Sequence, residues 1–322
     1  MARRKSKIDK EIRFRGRLIH LFLPFYTKKK FKFCNGVVKL LFKGKKFSNK
    51  FVYSQKNITR QDGTNLRVCI YTRKQKQPKA VGLLWIHGGG YAMGQPEQDF
   101  IFIKRFIKAY NCVVIAPEYT KSIEKPYPAA LEDCYLSLLW LKENAENLGI
   151  DDSKIFVGGD SAGGGLTAAL TLYARDKKEV NIAFQMPLYP MLDCYHTESS
   201  ANNDAPVWNT KSNDIAWKVY LGDFYNRGDI PKYASPSLET NYSGLPPTLT
   251  FVGDLEPFKD ETITYVEDLK KAGVPTAFKL FRGCYHAFDI VNQKSQKAKD
   301  ATNFLINGFV YACKNYSKEQ DK

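Results

Sequence analysis

Cysteine is sparse and unpaired in this chain. Seven thiols (Cys34, Cys69, Cys112, Cys134, Cys194, Cys284 and Cys313) are scattered over 322 residues, with no CxxC spacing among them. That pattern excludes a disulfide framework and a zinc site, and fits the reduced thiols of a cytosolic protein. No apolar run is long enough to cross a bilayer. The run Leu18–Tyr26 has the polarity of a secretion signal, but His20 and Pro24 interrupt it and lysines stand where a cleavage site would. Gly-Lys-Ser/Thr and GxGxxG are both missing, which removes the common nucleotide-binding loops. Acidic residues are nearly absent from residues 1–50, where Asp9 and Glu11 face 17 Lys and Arg. Of the formal charge of +16, that segment holds +15, and the remaining 32 basic and 31 acidic residues almost cancel. The chain is therefore a near-neutral body with a basic front end. No recognised nucleic-acid fold accompanies the charge, so no nucleic-acid partner is expected.

What is present is the patterning of an enzyme-sized α/β domain. Apolar content of 43% with 25% charged residues supports a sizeable core. Strand-like runs at 66–72, 81–86, 112–119, 154–159, 182–189, 248–252 and 277–281 alternate with helical patterns at 101–109, 129–148, 162–175, 262–272 and 298–313. Near-continuous apolar strands separated by helices predict a mostly parallel sheet of about eight strands, covered on both faces. Residues 195–232 break the alternation. The stretch is too long for an ordinary connection and reads as short helices forming a lid. The expected organisation is a basic N-terminal segment (1–50), an α/β core (51–194 and 233–322) and an insertion (195–232).

Val157–Gly165 reads VGGDSAGGG and contains GxSxG around Ser161, between a strand and a helix. A nucleophile on such a turn has a strained backbone, and side chains two positions away on either side would collide. A glycine-rich turn with a capping serine is the plainer reading. Upstream, His87–Gly90 is HGGG directly after a strand. Consecutive glycines let backbone N–H groups converge on one developing negative charge. The expected donors are Gly88, Gly89 and Ala162, and His87 is expected to hold the loop. Chain order Ser, acid, His leaves one histidine of the four (His20, His87, His196, His286) as base, namely His286. The acidic loop FVGDLEPFKDE (251–261) offers four carboxylates. Asp260 and Glu261 suit the first turn of a helix. Asp254 and Glu256 share a strand face, and alternation does not choose between them.

Taken together, HGGGY (87–91), APEY (116–119), YPAALEDCYLSLLWL (127–141), GGDSAGG (158–164), YASPS (233–237), EPFKDE (256–261) and YHAF (285–288) resemble the hormone-sensitive-lipase-like esterases of the α/β-hydrolase fold. The resemblance spans roughly 51–311. It implies a helical cap from the N-terminal segment and the insertion, and carboxylic ester hydrolysis of small or medium acyl chains without cofactor or metal. It favours Glu256 as the acid, with Asp254 as alternative, although the family usually carries Asp-Pro where this chain has Glu256-Pro257. Tyr91, Trp208, Trp217 and Tyr220 are candidate pocket residues; aromatic cap core is the other reading. Amide or formamide cleavage on the same residues, and a non-catalytic binding protein on this fold, are the competing functions. The 17 basic residues of the leader are interleaved with Phe14, Leu18, Leu21, Phe22, Leu23, Phe25, Phe31 and Phe33. They suit either a solvated cap helix or peripheral contact with an anionic membrane. The expected location is cytoplasmic, with membrane association and a homo-oligomer both open.

Overall fold

The computed structural model describes residues 8–23, 26–46, 48–75 and 77–321. Of the N-terminal residues singled out above, Pro24, Phe25 and the basic residues before Ile8 lie outside these ranges. Among the described residues eight strands form one sheet: β1 (Phe51–Thr59), β2 (Asn65–Arg73), β3 (Ala80–Ile86), β4 (Cys112–Pro117), β5 (Ile150–Asp160), β6 (Phe184–Leu188), β7 (Thr248–Gly253) and β8 (Thr276–Phe281). Their order across the sheet is β1-β2-β4-β3-β5-β6-β7-β8. Only β2 runs against the rest, pairing antiparallel with β1 and β4. Strands β3 and β4 are buried at every position, as a sheet covered on both faces requires. β1 has no predicted counterpart. Its residues FVYSQKNIT are mostly polar and exposed, because it is an edge strand held by its hairpin register with β2.

The helices cover both faces and the carboxyl edge. α1 (Lys10–Phe22) and α2 (Lys28–Phe42) precede the sheet, followed by α3 (Phe100–Ala109), α4 (Ala129–Glu143), α5 (Ala145–Leu148) and α6 (Ala162–Lys177). The predicted helix 129–148 is thus two helices, broken where Asn144 turns the chain. The insertion supplies α7 (Glu198–Ala201), α8 (Thr210–Leu221) and α9 (Asp223–Arg227), and the chain closes with α10 (Lys259–Lys271), α11 (Phe288–Val291) and α12 (Gln296–Asn315). α6 runs through the core, buried on nearly all sides, so it shows little polar face. α1 and α2 dock over the carboxyl edge beside the insertion. Tyr26 N–H donates to Ser212 Oγ at 3.0 Å, Gly94 N–H donates to Asn35 Oδ1 at 3.1 Å, and Tyr285 O–H donates to the Ile12 carbonyl at 3.2 Å.

Candidate active site

β5 ends at Asp160, and Ser161 turns the chain into α6 with φ 57° and ψ −119°. This is a conformation L-residues avoid, held here by packing on all sides. Ser161 N–H donates to the Leu188 carbonyl at 2.9 Å, and its own carbonyl accepts from Met191 at 3.1 Å. The flanking glycines are explained by one obstacle, the carbonyl oxygen of Ile86 at the end of β3. A Cβ at Gly159 would stand 2.4 Å from it and a Cβ at Gly163 2.0 Å. Ser161 therefore sits on the hydroxyl-presenting turn that the sequence implies, above the N-terminus of a 16-residue helix.

His286 follows β8 and reaches Ser161 Oγ through Nε2 at 2.8 Å. Its Nδ1 lies 2.5 Å from Glu256 Oε2. The other oxygen, Glu256 Oε1, accepts from Gly253 N–H at 2.5 Å, and the carboxylate is fully buried. Asp254 is turned elsewhere. Its Oδ1 accepts from Gly283 N–H at 2.6 Å and Cys284 N–H at 3.3 Å, bracing the loop that carries His286. Asp260 accepts from Ser199 N–H at 2.6 Å near the start of the insertion, and Glu261 from Leu192 N–H at 2.8 Å just before it. Burial raises the Glu261 carboxyl well above the usual carboxylate range.

The HGGG loop departs from expectation at its first glycine. Gly88 N–H donates to Asp160 Oδ1 at 2.9 Å and so is directed away from Ser161. The N–H groups of Gly89, Gly90 and Ala162 make no hydrogen bond among the described residues. Gly89 and Gly90 have φ +129° and +58°, which glycine alone adopts without strain. Behind the loop lies a pair of carboxyls that sequence reading missed. Asp99 is raised well above its ordinary value, by burial first and then by the Asp160 charge beside it. Burial raises Asp160 as well, while the hydrogen bonds from Asp99 and Gly88 favour its charged form. Asp99 also accepts from Trp85 Nε1 at 2.8 Å. Asp160 stands inside GGDSAGG, so a signal existed; Asp99 carries none. His87 is stacked on Tyr119 at 4.3 Å, with Nδ1 2.8 Å from the Gly88 carbonyl. Burial keeps its ring neutral. It holds the loop.

Of the four aromatic candidates, Trp208 comes nearest the site. Its ring centroid is 6.4 Å from that of His286, and a Cβ at Gly90 would meet the indole at 2.4 Å. Tyr26 and Phe31 of the N-terminal segment pack behind it at 5.5 and 6.0 Å. Tyr91, Trp217 and Tyr220 pack on one another instead. Tyr91 stacks on Tyr220 at 3.8 Å, lies 5.6 Å from Trp217, and donates its hydroxyl to the Met191 carbonyl at 2.8 Å.

Known proteins resemble this chain in fold and in sequence. A family model described as the α/β-hydrolase fold matches residues 83–290, well over half of the chain. Esterase LipI of Mycobacterium tuberculosis is 31% identical over 229 residues, covering 70% of this chain and 71% of LipI. An arylesterase of Saccharolobus solfataricus is 31% identical over 212 residues, covering 64% and 67%. Among solved structures, a bacterial heroin esterase superposes with a TM-score of 0.85 at 30% identity, covering 95% of this chain and 98% of that one. On the fold, the matched residues and these relatives, the chain belongs to the α/β-hydrolase family, among its esterases and lipases.

Proposed function

We propose that this carboxylic ester hydrolase cleaves small to medium acyl esters through an acyl-enzyme on Ser161, with His286 as base and Glu256 as the carboxylate that orients it. The observation that carries the reading is the unbroken hydrogen-bonded chain from Glu256 Oε2 through both ring nitrogens of His286 to Ser161 Oγ. Ser161 Oγ attacks the ester carbonyl as His286 Nε2 takes its proton. The carbonyl oxygen becomes an oxyanion, for which Gly89, Gly90 and Ala162 supply the N–H donors in place of Gly88. Collapse expels the alcohol, which receives the proton from His286. Water then attacks the acyl-serine, His286 accepts its proton, and the carboxylic acid leaves as Ser161 is restored. Glu256 holds Nδ1 protonated, so that Nε2 is the acceptor facing Ser161.

The acyl group lies against Trp208 in this reading, because that ring lies between the oxyanion loop and the N-terminal helices. Tyr91, Trp217 and Tyr220 are then the core that fixes α8 to the loop, since their rings are spent on each other. Two measurements test the proposal. A fluorophosphonate probe should label the wild-type chain and leave Ser161→Ala unlabelled. p-Nitrophenyl esters of increasing acyl length should be turned over fastest at the short end. Labelling of Ser161→Ala equal to wild type, or no turnover at any length, would sink it.

A further inference from the structure

Each N-terminal helix is apolar on two faces, and the body of the protein uses one. In α1 the buried positions are Ile12 and Gly16, and in α2 they are Phe31 and Asn35. A second stripe runs along each helix at the same spacing: Phe14, Leu18, Leu21 and Phe22 on α1, and Phe33, Val37, Leu40 and Leu41 on α2. At 3.6 residues per turn, each stripe falls on roughly the opposite side of its helix from the buried residues. Five of these side chains (Phe14, Leu21, Phe22, Phe33 and Leu40) are between 71% and 79% exposed. Single exposed apolar residues are ordinary, whereas stripes of this length on neighbouring segments mark a surface that meets something.

Cations border both stripes. Lys10, Arg17, Lys28, Lys29, Lys32 and Lys39 are exposed and form no ion pair among the described residues. The two acids of the segment are turned to the body. Glu11 accepts from Gln296 N–H at 2.7 Å, and Asp9 lies 3.7 Å from Lys297 Nζ. We propose that the outer faces of α1 and α2 dock on an anionic lipid bilayer surface. The apolar stripes enter the headgroup boundary, and the lysines and arginines beside them meet lipid phosphates. A symmetric contact between two copies would set these cations against their own kind. A nucleic acid would use the cations and leave the leucines without a role. Among the described residues no helix is long and apolar enough to cross a membrane, so the contact is peripheral.

Docking does not depend on the proposed chemistry and is measured without it. The full chain is sedimented with vesicles of phosphatidylcholine alone, and with vesicles containing about one third phosphatidylglycerol, at low and high salt. The expected result is binding to the anionic vesicles only, weakened by salt. Phe14→Ser/Leu21→Ser/Phe33→Ser/Leu40→Ser should lower the partition constant about tenfold or more. Lys28→Gln/Lys29→Gln/Lys32→Gln should lower it and flatten its salt dependence. All substituted side chains are exposed, so an unchanged melting temperature and unchanged hydrolysis of a short soluble ester verify the fold. No sedimentation with anionic vesicles at low salt would overturn the proposal. So would binding by the serine variant equal to wild type, or a wild-type dimer that the serine variant dissolves while neither protein binds vesicles.

Discussion

Asp254 and Glu256 lie two residues apart at the end of one strand, and their hydrogen bonds separate them. Glu256 is one methylene longer and curls back, giving one oxygen to Gly253 N–H and the other to His286. Asp254 is directed to the backbone of the loop at Gly283 and Cys284. Glu256→Gln should therefore lower kcat by about 10⁴ while the melting temperature stays near wild type, as for the acid of similar triads. Asp254→Asn should lower the melting temperature and reduce kcat by a smaller factor. If Asp254→Asn is the more damaging in kcat, Asp254 is the orienting acid instead. Gly90 permits another prediction. An alanine there meets the Trp208 ring at 2.4 Å in a positive-φ conformation, so Gly90→Ala should cost about 10² to 10³ in kcat if its N–H is an oxyanion donor.

At the scale of elements, the loop after β4 ties the antiparallel hairpin to the core. Glu118 accepts from Arg67 Nε at 2.6 Å and Lys43 Nζ at 2.9 Å, linking β2 and the residue after α2. Burial raises its carboxyl, but the hydrogen bonds from Arg67 and Lys43 outweigh it and lower the group to about 2. The folded value lies below the unfolded one near 4.3, so its stabilisation is fully present above about pH 4.3 and is lost as pH falls toward 2. Glu118→Gln should melt below wild type at neutral pH, with the gap narrowing between about pH 5 and pH 2. A gap independent of pH would show that the charge is not the stabilising feature. The insertion makes a separate prediction. Trp208→Ala should raise kcat/KM for longer p-nitrophenyl esters relative to acetate, since it removes the ring beside His286. A parallel drop at every chain length would mean the ring is core alone.

At the scale of the whole molecule, the first helix and the last loop are one unit. A Cβ at Gly16 would stand 2.6 Å from the Tyr285 ring, whose hydroxyl bonds the Ile12 carbonyl and which directly precedes His286. Gly16→Val should destabilise the protein by about 1–3 kcal/mol through overpacking. It should also lower kcat several-fold, because displacing the Tyr285 ring disturbs the loop that carries His286. A variant with a lower melting temperature and an unchanged kcat would show that the cap and the site are not coupled.

Much of this was legible in one dimension, for reasons that differ by residue. The elbow and the glycine loop are legible because a strained turn demands glycine at fixed offsets, even though the carbonyl that Gly159 and Gly163 answer to, that of Ile86, comes from another strand. The parallel core strands are buried on both faces, which leaves a continuous apolar signature, whereas the polar edge strand β1 leaves none. Order along the chain singled out His286 among four histidines. Tertiary structure alone decided that Gly88 N–H is taken by Asp160 and that Asp254 braces a loop, while the resemblance had already favoured Glu256, which faces the imidazole. It also decided that Asp99 is buried beside Asp160 beneath the site, and that only one of four aromatic candidates stands beside His286. Each of these depends on which of two nearby groups meets a partner far away in the chain, and hydrogen-bond direction is set by the packed backbone that spacing alone does not encode.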